Sequence, residues 1–336
     1  MFRFLIIQTA FTGDVVLATA LAEKLHDRYP DAVIDVLLRK GNEGLLSNHP
    51  FISNVLIWDK KEQKNRNLFR LAMQVRRTHY THVINPHRFA TSGIISLLSG
   101  APYRSGFDKN PLSFGFTRIV KHVISATADK NAVHEVQRNQ LLIADITEGG
   151  YAMPALYPSV ADRKWIEQYT AQPYVCIAPS SVWFTKQFPA QKWVELINEI
   201  PEMYTVFIIG APSDTVTGDA IIGKVTHANV RNLCGKLNFL QSAALMQGAV
   251  MNYTNDSAPL HFASAVAAPL TAVFCSTVPS FGFGPLRPEA RIVQTRETLS
   301  CRPCGLHGHK TCPEGHFKCA HQITNNQLLW WTLKTT

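Results

Sequence analysis

Short apolar runs alternate along this chain with segments whose apolar residues recur every three or four positions. Phe4–Ile7 is the first such run, and residues 15–25 follow it with the helical spacing. A short apolar run is typical of a buried strand, and strands that alternate with helices form parallel sheets. The alternation therefore predicts an α/β fold.

The alternation runs in two series. The first is predicted to contain strands at Phe4–Ile7, Val33–Leu38, Val55–Trp58 and His82–Asn85, with helices around Leu68–Val75 and Thr91–Leu98. The second is predicted to contain strands at Tyr174–Ala178, Val206–Ile209, Ala249–Tyr253 and Leu270–Phe274, with helices at Gln191–Ile200, Leu240–Gln247 and Ala258–Ala267.

Between the two series, over residues 149–173, the pattern loosens and prolines punctuate the chain. We therefore expect an N-terminal domain over residues 1–160 and a C-terminal domain with a cysteine-rich tail over residues 172–322. Residues 323–336 are predicted to form a closing helix. Two sheets wound by helices leave a cleft between them, which is the expected ligand site.

Composition agrees with a globular protein of this kind. The 336 residues are 46% hydrophobic and 17% charged, which excludes disordered, collagen-like and coiled-coil chains. With 33 Lys and Arg against 24 Asp and Glu, the net charge is +9. This excess favours a polyanionic partner, such as nucleic acid, a phosphorylated glycolipid or an anionic membrane surface, without choosing among them.

The sequence shows no targeting or membrane-spanning segment. Phe4–Ile7 is too short for the apolar core of a signal peptide. No segment approaches the ~18 apolar residues of a membrane span. The expected location is the cytoplasm.

The first candidate site residue follows the first predicted strand. Thr9–Asp14 forms the turn into a helix and contains one glycine, so the three-glycine dinucleotide fingerprint is absent. Asp14 has two interpretations. It is either an acid in the first turn that complements the helix dipole, or a general base held at the ligand site.

A second candidate site follows the strand at Tyr174–Ala178. The loop that begins at Pro179 carries two serine hydroxyls, a threonine and a lysine, namely Ser180, Ser181, Thr185 and Lys186. Hydroxyls, loop amides and one compact positive charge suit phosphate oxygens. The loop lacks the ending of a P-loop, and a plain surface loop is the alternative.

A third candidate site lies between a strand and a helix rich in small residues. Its residues are Asp256, Ser257, Ala258, Pro259, Leu260 and His261. The N-terminal amides of such a helix can bind a diphosphate. In the alternative interpretation, Asp256 and Ser257 only cap the helix and His261 is an ordinary helix residue.

Four of the seven cysteines crowd into one late segment. They are Cys301, Cys304, Cys312 and Cys319. In a cytosolic chain, four closely spaced thiols favour a structural zinc or iron ion over disulfides. A catalytic metal is not expected, because protein ligands would fill all four positions. Reduced, metal-free thiols are the alternative.

Basic residues concentrate between Lys60 and Arg77. Arg66, Arg70 and Arg77 fall on one helical face there, with Glu62 as the acidic residue of the interval. Such a stripe suits an anionic acceptor or membrane surface. It is otherwise an ordinary solvated face.

Taken in order, these motifs resemble the family 9 glycosyltransferases. The resemblance runs from Phe4 to about Ile323 and rests on Gly13-Asp14-Val15-Val16, on Ala178-Pro179-Ser180-Ser181 with Thr185-Lys186, on Gly210, and on Asn255 to His261. It implies the GT-B fold, with an acceptor-side Rossmann-like domain at residues 1–160 and a nucleotide-sugar-binding one at residues 172–322. It also implies transfer of a heptose or related sugar with inversion, from an ADP-sugar donor to a lipopolysaccharide core hydroxyl.

The resemblance also implies roles for the site residues. Asp14 corresponds to the general base, Lys186 neutralises the departing nucleoside diphosphate, and residues 256–260 hold that diphosphate, with hydrogen bonds from Ser181 and Thr185. It implies no catalytic cofactor, no nucleic acid, and an anionic glycolipid acceptor with peripheral contact at the inner face of the inner membrane.

The sequence departs from the family pattern at a few positions. Ala258 stands where the family often has Gly, Ile177-Ala178-Pro179 where it often has His-Pro-Gly, and Gln187 where it often has Arg. Two alternatives are an enzyme of the same architecture and a non-catalytic binding module. A sugar-nucleotide epimerase should show several carboxylates at the cleft and no basic acceptor surface. A non-catalytic envelope-assembly module would tolerate loss of Asp14, and the presence of Asp14 and Lys186 argues against it.

Overall fold

A computed structural model describes residues 1–125 and 132–329, with the side chain of Lys64 left out. These residues form two compact units. The first comprises Met1–Ile124 and Val133–Tyr157, and the second begins at Pro158.

The described part of the first unit is a six-stranded parallel sheet with helices. Its strands are β1 (Arg3–Gln8), β2 (Val33–Arg39), β3 (Asn54–Trp58), β4 (His82–Asn85), β5 (Tyr103–Phe107) and β6 (Arg118–Val120). Its helices are α1 (Thr12–Arg28), α2 (Lys64–Arg77), α3 (Ala90–Leu98) and α4 (Glu135–Gln140). The strand order is β3-β2-β1-β4-β5-β6.

The second unit, as far as residue 329, has the same plan. Its strands are β7 (Tyr174–Ala178), β8 (Thr205–Ile208), β9 (Val230–Asn232), β10 (Met251–Asn255), β11 (Leu270–Phe274) and β12 (Arg291–Gln294). Its helices are α5 (Val160–Ile166), α6 (Ala190–Glu199), α7 (Thr215–Ile222), α8 (Phe239–Gly248), α9 (Ala258–Ala265) and α10 (Lys318–His321). The order β12-β11-β10-β7-β8-β9 repeats that of the first sheet.

The central strands are buried because helices cover both faces of a parallel sheet. Every residue of β7, β10 and β11 is buried. In the second unit, the cysteine-rich tail continues this core, since Phe317, Cys319 and Ile323 pack with residues of β7 and β10. The tail is therefore part of the second unit's core.

These findings confirm the predicted fold class, with two Rossmann-like α/β units. The eight predicted strands are present, each with a shift of at most two residues at either end. Cys176, Cys234 and Cys275 are buried, as expected for core thiols. Four strands at or next to the sheet edges, β5, β6, β9 and β12, were not predicted, because they are short and carry polar residues.

The predicted closing helix falls largely outside the described residues. Up to residue 329 the segment contains a 3₁₀ turn at Asn325–Gln327. The rest of that prediction, residues 330–336, is not described. None of the described helices is long and apolar enough to cross a membrane.

Candidate active site

Each sheet reverses its strand order at one place. In the first unit the reversal lies between β1 and β4, and in the second between β7 and β10. The loops at the carboxyl ends of such strand pairs are where ligands bind in open parallel sheets. The sequence-predicted site residues follow β1, β7 and β10, which are three of these four strands.

Asp14 lies in the first turn of α1, immediately beyond β1. One of its carboxylate oxygens, Oδ2, accepts a hydrogen bond from the Phe11 backbone N–H at 3.2 Å. The helix-capping interpretation is therefore realised in the structure. A capping carboxylate still presents lone pairs to a ligand, because each oxygen accepts more than one bond.

Lys60 and His87 flank the same turn, and His87 is not among the site residues predicted from the sequence. The Lys60 ammonium donates to the Thr9 carbonyl at 2.8 Å. His87 Nδ1 lies 3.4 Å from the Thr9 hydroxyl, just beyond β4. Burial, with Lys60 and Arg88 as further causes, lowers the pKa of His87 to about 4. A neutral imidazole therefore stands beside the turn near pH 7.

In the second unit the two remaining motifs meet. The Lys186 ammonium lies 2.7 Å from Asp256 Oδ2, and both side chains are largely buried. The Thr277 hydroxyl donates to the same Asp256 oxygen at 2.6 Å. The structure thus places a cation from the loop after β7 at the start of α9, which follows β10.

Asn255 holds the two loops together. Its amide nitrogen donates to the Pro179 carbonyl at 2.6 Å, and its amide oxygen accepts from the Phe188 N–H at 2.9 Å. The residue is fully buried. These two bonds tie both ends of the Pro179–Phe188 loop to the last residue of β10. Asn255 begins one of the motifs that carry the family resemblance, but its role as a link between the two loops was not predicted.

The first turn of α9 contains Ser257, Ala258, Pro259, Leu260 and His261. Ser257 stands at the N-cap position without a side-chain capping bond. Pro259 has no backbone N–H, so hydrogen bonds to a ligand at this turn would come from the N–H groups of the neighbouring residues. Leu260 and His261 are buried. The capping interpretation is therefore not realised for the Ser257 hydroxyl.

The hydroxyls of the loop after β7 differ in their surroundings. Ser180 and Ser181 are half-buried, and the Ser181 carbonyl accepts from the Gln187 side chain at 2.6 Å. Thr185 is buried, and its oxygen accepts from the Ser276 hydroxyl at 3.0 Å and from the His309 N–H at 2.8 Å. The cysteine-rich tail thus contacts Thr185 through the His309 N–H.

All four tail cysteines line one small cavity. Cys301, Cys304, Cys312 and Cys319 surround a volume of about 20 Å³, which is close to the size of a single water molecule or ion. The Phe317 N–H points at Cys312 Sγ from 3.4 Å. Burial raises the pKa of Cys319 to about 11, opposed by Arg302 and supported by the other three thiols.

The thiols are nevertheless not clustered tightly. Among residues 1–125 and 132–329, no three His, Cys, Asp or Glu side chains are grouped closely enough to hold a metal ion. An ion in the cavity would therefore require the four side chains to move toward it. The donor set of four sulfurs suits zinc or iron.

The basic stripe lies on the outer face of α2. Arg66, Arg70 and Arg77 are exposed there, and Phe69 beside them is 63% exposed. The opposite face buries Leu68, Leu71, Ala72 and Val75 in the first unit's core. The helix is therefore amphipathic, with a cationic outer face that also carries an aromatic ring.

The model of glycosyltransferase family 9 (heptosyltransferase) matches residues 68–317, which is most of the chain and spans both motifs of the second unit. The chain belongs to glycosyltransferase family 9. Neither the epimerase nor the non-catalytic module is favoured by the match.

The chain is similar to known heptosyltransferases in sequence and in fold. Lipopolysaccharide heptosyltransferase 2 of Escherichia coli (strain K12) is 26% identical over 314 residues, 87% of this chain and 88% of that protein. The structure of E. coli ADP-heptose lps heptosyltransferase II covers 99% of this chain and 98% of that chain, with a TM-score of 0.79 and 23% identity.

A more distant structure contains iron. The bacterial iron-containing dodecameric glycosyltransferase TibC from enterotoxigenic E. coli H10407 covers 99% of this chain and 75% of that chain, with a TM-score of 0.56 and 15% identity. At these identities the similarity concerns the fold, and it confirms the GT-B-like class.

Proposed function

We propose that the chain transfers a heptose, or a related sugar, from an ADP-sugar to a hydroxyl of a lipopolysaccharide core acceptor, with inversion at the anomeric carbon. The observation that supports this most is the Lys186–Asp256 pair at the start of α9, at 2.7 Å, in a member of family 9. The similarity to lipopolysaccharide heptosyltransferase 2 supports the donor and acceptor classes.

The proposed mechanism divides the chemistry between the units. In the first, Asp14 takes the proton of the acceptor hydroxyl as that oxygen attacks the anomeric carbon. In the second, Lys186 and the backbone of residues 256–260 stabilise the charge that develops on the departing diphosphate. The donor then competes with Asp256 for the Lys186 ammonium. No metal takes part in these steps.

Three further assignments complete the proposal. The four tail cysteines hold one structural zinc or iron ion, a hypothesis supported by their shared cavity. The exposed arginines of α2 bind an anionic glycolipid or the membrane that contains it. The protein works in the cytoplasm, in peripheral contact with the inner membrane.

The proposal is tested first with nucleotides. ADP and ADP-heptose should raise the melting temperature of the purified protein, while UDP and UDP-N-acetylglucosamine should not. Incubation with ADP-heptose and a heptose-deficient lipopolysaccharide should then yield ADP and an extended core. NMR of the new linkage should show inverted anomeric configuration. Preference for UDP, with epimerised sugar as product, would overturn the proposal in favour of an epimerase.

A further inference from the structure

The cysteine-rich tail, residues 301–319, contacts the lysine loop, residues 179–188, through a pair of reciprocal hydrogen bonds. The Thr185 N–H donates to the His309 carbonyl at 3.1 Å, and the His309 N–H donates to the Thr185 hydroxyl oxygen at 2.8 Å. The Cys304 N–H also donates to the Ser276 carbonyl at 2.8 Å, and the Ser276 hydroxyl in turn donates to Thr185. The tail is thus bonded to the residue that precedes Lys186.

Gly308 is the point of closest approach. A Cβ atom placed on this glycine would lie 2.8 Å from Thr185 Oγ1, 3.1 Å from Lys186 Cγ and 3.3 Å from Ser276 Oγ. Contacts this short would force the lysine loop to move. The backbone of the tail therefore packs directly against the stem of the Lys186 side chain, and only a residue without a side chain fits there.

Arg302, also in the tail, contacts the backbone on both sides of Ser276, close to Asp256. Its guanidinium donates to the carbonyls of Cys275 and Thr277, each at 2.7 Å, and to the Gln294 side chain at 2.8 Å. It thereby fixes the backbone at the carboxyl end of β11. Thr277 is the residue whose hydroxyl holds Asp256. The same tail therefore holds the neighbours of both Lys186 and Asp256.

We propose that the tail, residues 301–319, positions the Lys186 ammonium for the nucleoside diphosphate through the packing of Gly308 against Thr185 and Lys186. This rests on the proposed function and adds a positioning role for a segment outside the donor loops. A lysine ammonium on a flexible stem loses rotamer freedom when it binds phosphate. Packing that restricts the stem beforehand lowers this cost, so that donor affinity depends on the tail.

The test compares two glycines of the same tail. Gly308 and Gly315 have φ values of +77° and +68°, so alanine is strained similarly at both positions. A Cβ at Gly315 would meet no atom within 4 Å. Both Gly308→Ala and Gly315→Ala should therefore lower the melting temperature of the ligand-free protein, and Gly308→Ala should lower it more, because its Cβ also meets Thr185 and Lys186. Only Gly308→Ala should weaken ADP binding, measured by calorimetry, by about tenfold, the effect of one weakened charge-assisted hydrogen bond.

A second measurement separates positioning from general damage. If Gly308 acts through Lys186, adding Gly308→Ala to Lys186→Ala should cause no further loss of ADP affinity, because interacting positions are not additive. Equal Kd values for Gly308→Ala and Gly315→Ala would overturn the inference, as would a full additional loss in the Lys186→Ala background. Wild-type protein that binds no ADP would overturn the proposed function instead.

A milder variant covers the case in which Gly308→Ala does not fold. Ser276→Ala removes the hydroxyl that donates to Thr185 at 3.0 Å and leaves the backbone unchanged. Ser280→Ala is its control, since the buried Ser280 hydroxyl has no hydrogen-bond partner within the described residues. Ser276→Ala should raise the Kd for ADP severalfold, and Ser280→Ala should not. The same Kd for both would overturn the inference.

Discussion

At the scale of single residues, one substitution separates the capping hydrogen bond of Asp14 from its proposed role as general base. Asparagine keeps an oxygen that can accept from the Phe11 N–H, so Asp14→Asn should preserve the start of α1. It cannot take a proton, and turnover should fall about 10²–10⁴-fold with ADP affinity unchanged. Steady-state kinetics on a lipopolysaccharide acceptor measure this. Asp27→Asn, at an exposed position of the same helix, is the control. Near-normal turnover of Asp14→Asn would show that Asp14 is not the general base.

His87 predicts a pH dependence of stability. Its pKa is lowered from 6.5 to about 4, chiefly by burial, so the unfolded chain takes up a proton at a higher pH than the folded chain. The contribution of neutral His87 is complete above pH 6.5 and is lost as the pH falls toward 4, by about 3 kcal/mol at most. The melting temperature should therefore fall between pH 7 and pH 5.

The matched variants are His87→Gln and His79→Asn, of which His79 is exposed. The decline in melting temperature should be smaller in His87→Gln than in wild type and unchanged in His79→Asn. His82 and His122, whose pKa values burial also lowers, supply the part that remains. An undiminished decline in His87→Gln would contradict the prediction.

Several residues of the candidate site could be predicted from the sequence, because a polar residue directly after an apolar run is easy to recognise. Asp14, Lys186 and Asp256 were located in that way. The partners were not predictable, because hydrogen bonds such as Asn255 to Pro179 and Phe188 join residues far apart in sequence. His87 was missed although it follows a predicted strand, since a single histidine after a strand carries no distinctive spacing.

At the scale of elements, the exposed arginines and Phe69 of helix α2 lead us to expect binding to an anionic membrane surface. Its exposed arginines should each contribute about 1 kcal/mol on an anionic surface, and Phe69 adds apolar contact. Arg70→Gln and Phe69→Ser should weaken cosedimentation with phosphatidylglycerol vesicles. Arg76→Gln is the control, because this arginine approaches the Leu98 carbonyl instead. If Arg70→Gln binds the vesicles as wild type does, the arginines of α2 form an ordinary solvated surface.

The tail predicts a metal content. Protein purified without added metal should contain close to one zinc or iron per chain by elemental analysis, and Cys304→Ser should lose it. Cys234→Ala, a buried cysteine outside the tail, should retain it. Chelation should loosen residues 301–319 without unfolding the two sheets, because metal binding is coupled to local folding. Little metal with four freely titrating thiols would contradict this prediction.

At the scale of the whole molecule, the two units repeat one strand order while their loops carry different residues. The proposed donor site lies in the loops after β7 and β10 of the second unit. ADP should therefore slow amide hydrogen exchange in residues 179–188 and 256–262. The loop after β1, residues 9–14, should exchange at the same rate with and without ADP. Protection confined to the first unit would place the donor elsewhere.

The architecture could be predicted from the sequence because both sheets are buried on both faces, so that most of their central strands are largely apolar runs. β7 and β11 were placed at their observed bounds for this reason. The polar strands near the sheet edges were missed because their residues follow neither an apolar run nor a helical period. The repeat of strand order was also invisible, since it is a property of topology with no matching repeat of residues.

The same short, polar edge strands limit how the protein can aggregate. β6, β9 and β12 lie at sheet edges, span three or four residues, and contain Arg118, Arg231 and Arg291 respectively. An exposed edge is a template on which a second chain can add a strand, and brevity and charge both discourage this pairing. What made these three strands hard to recognise in the sequence therefore also protects their sheet edges from pairing with a strand of another copy, whereas the edge at β3 (Asn54–Trp58) carries no such charge.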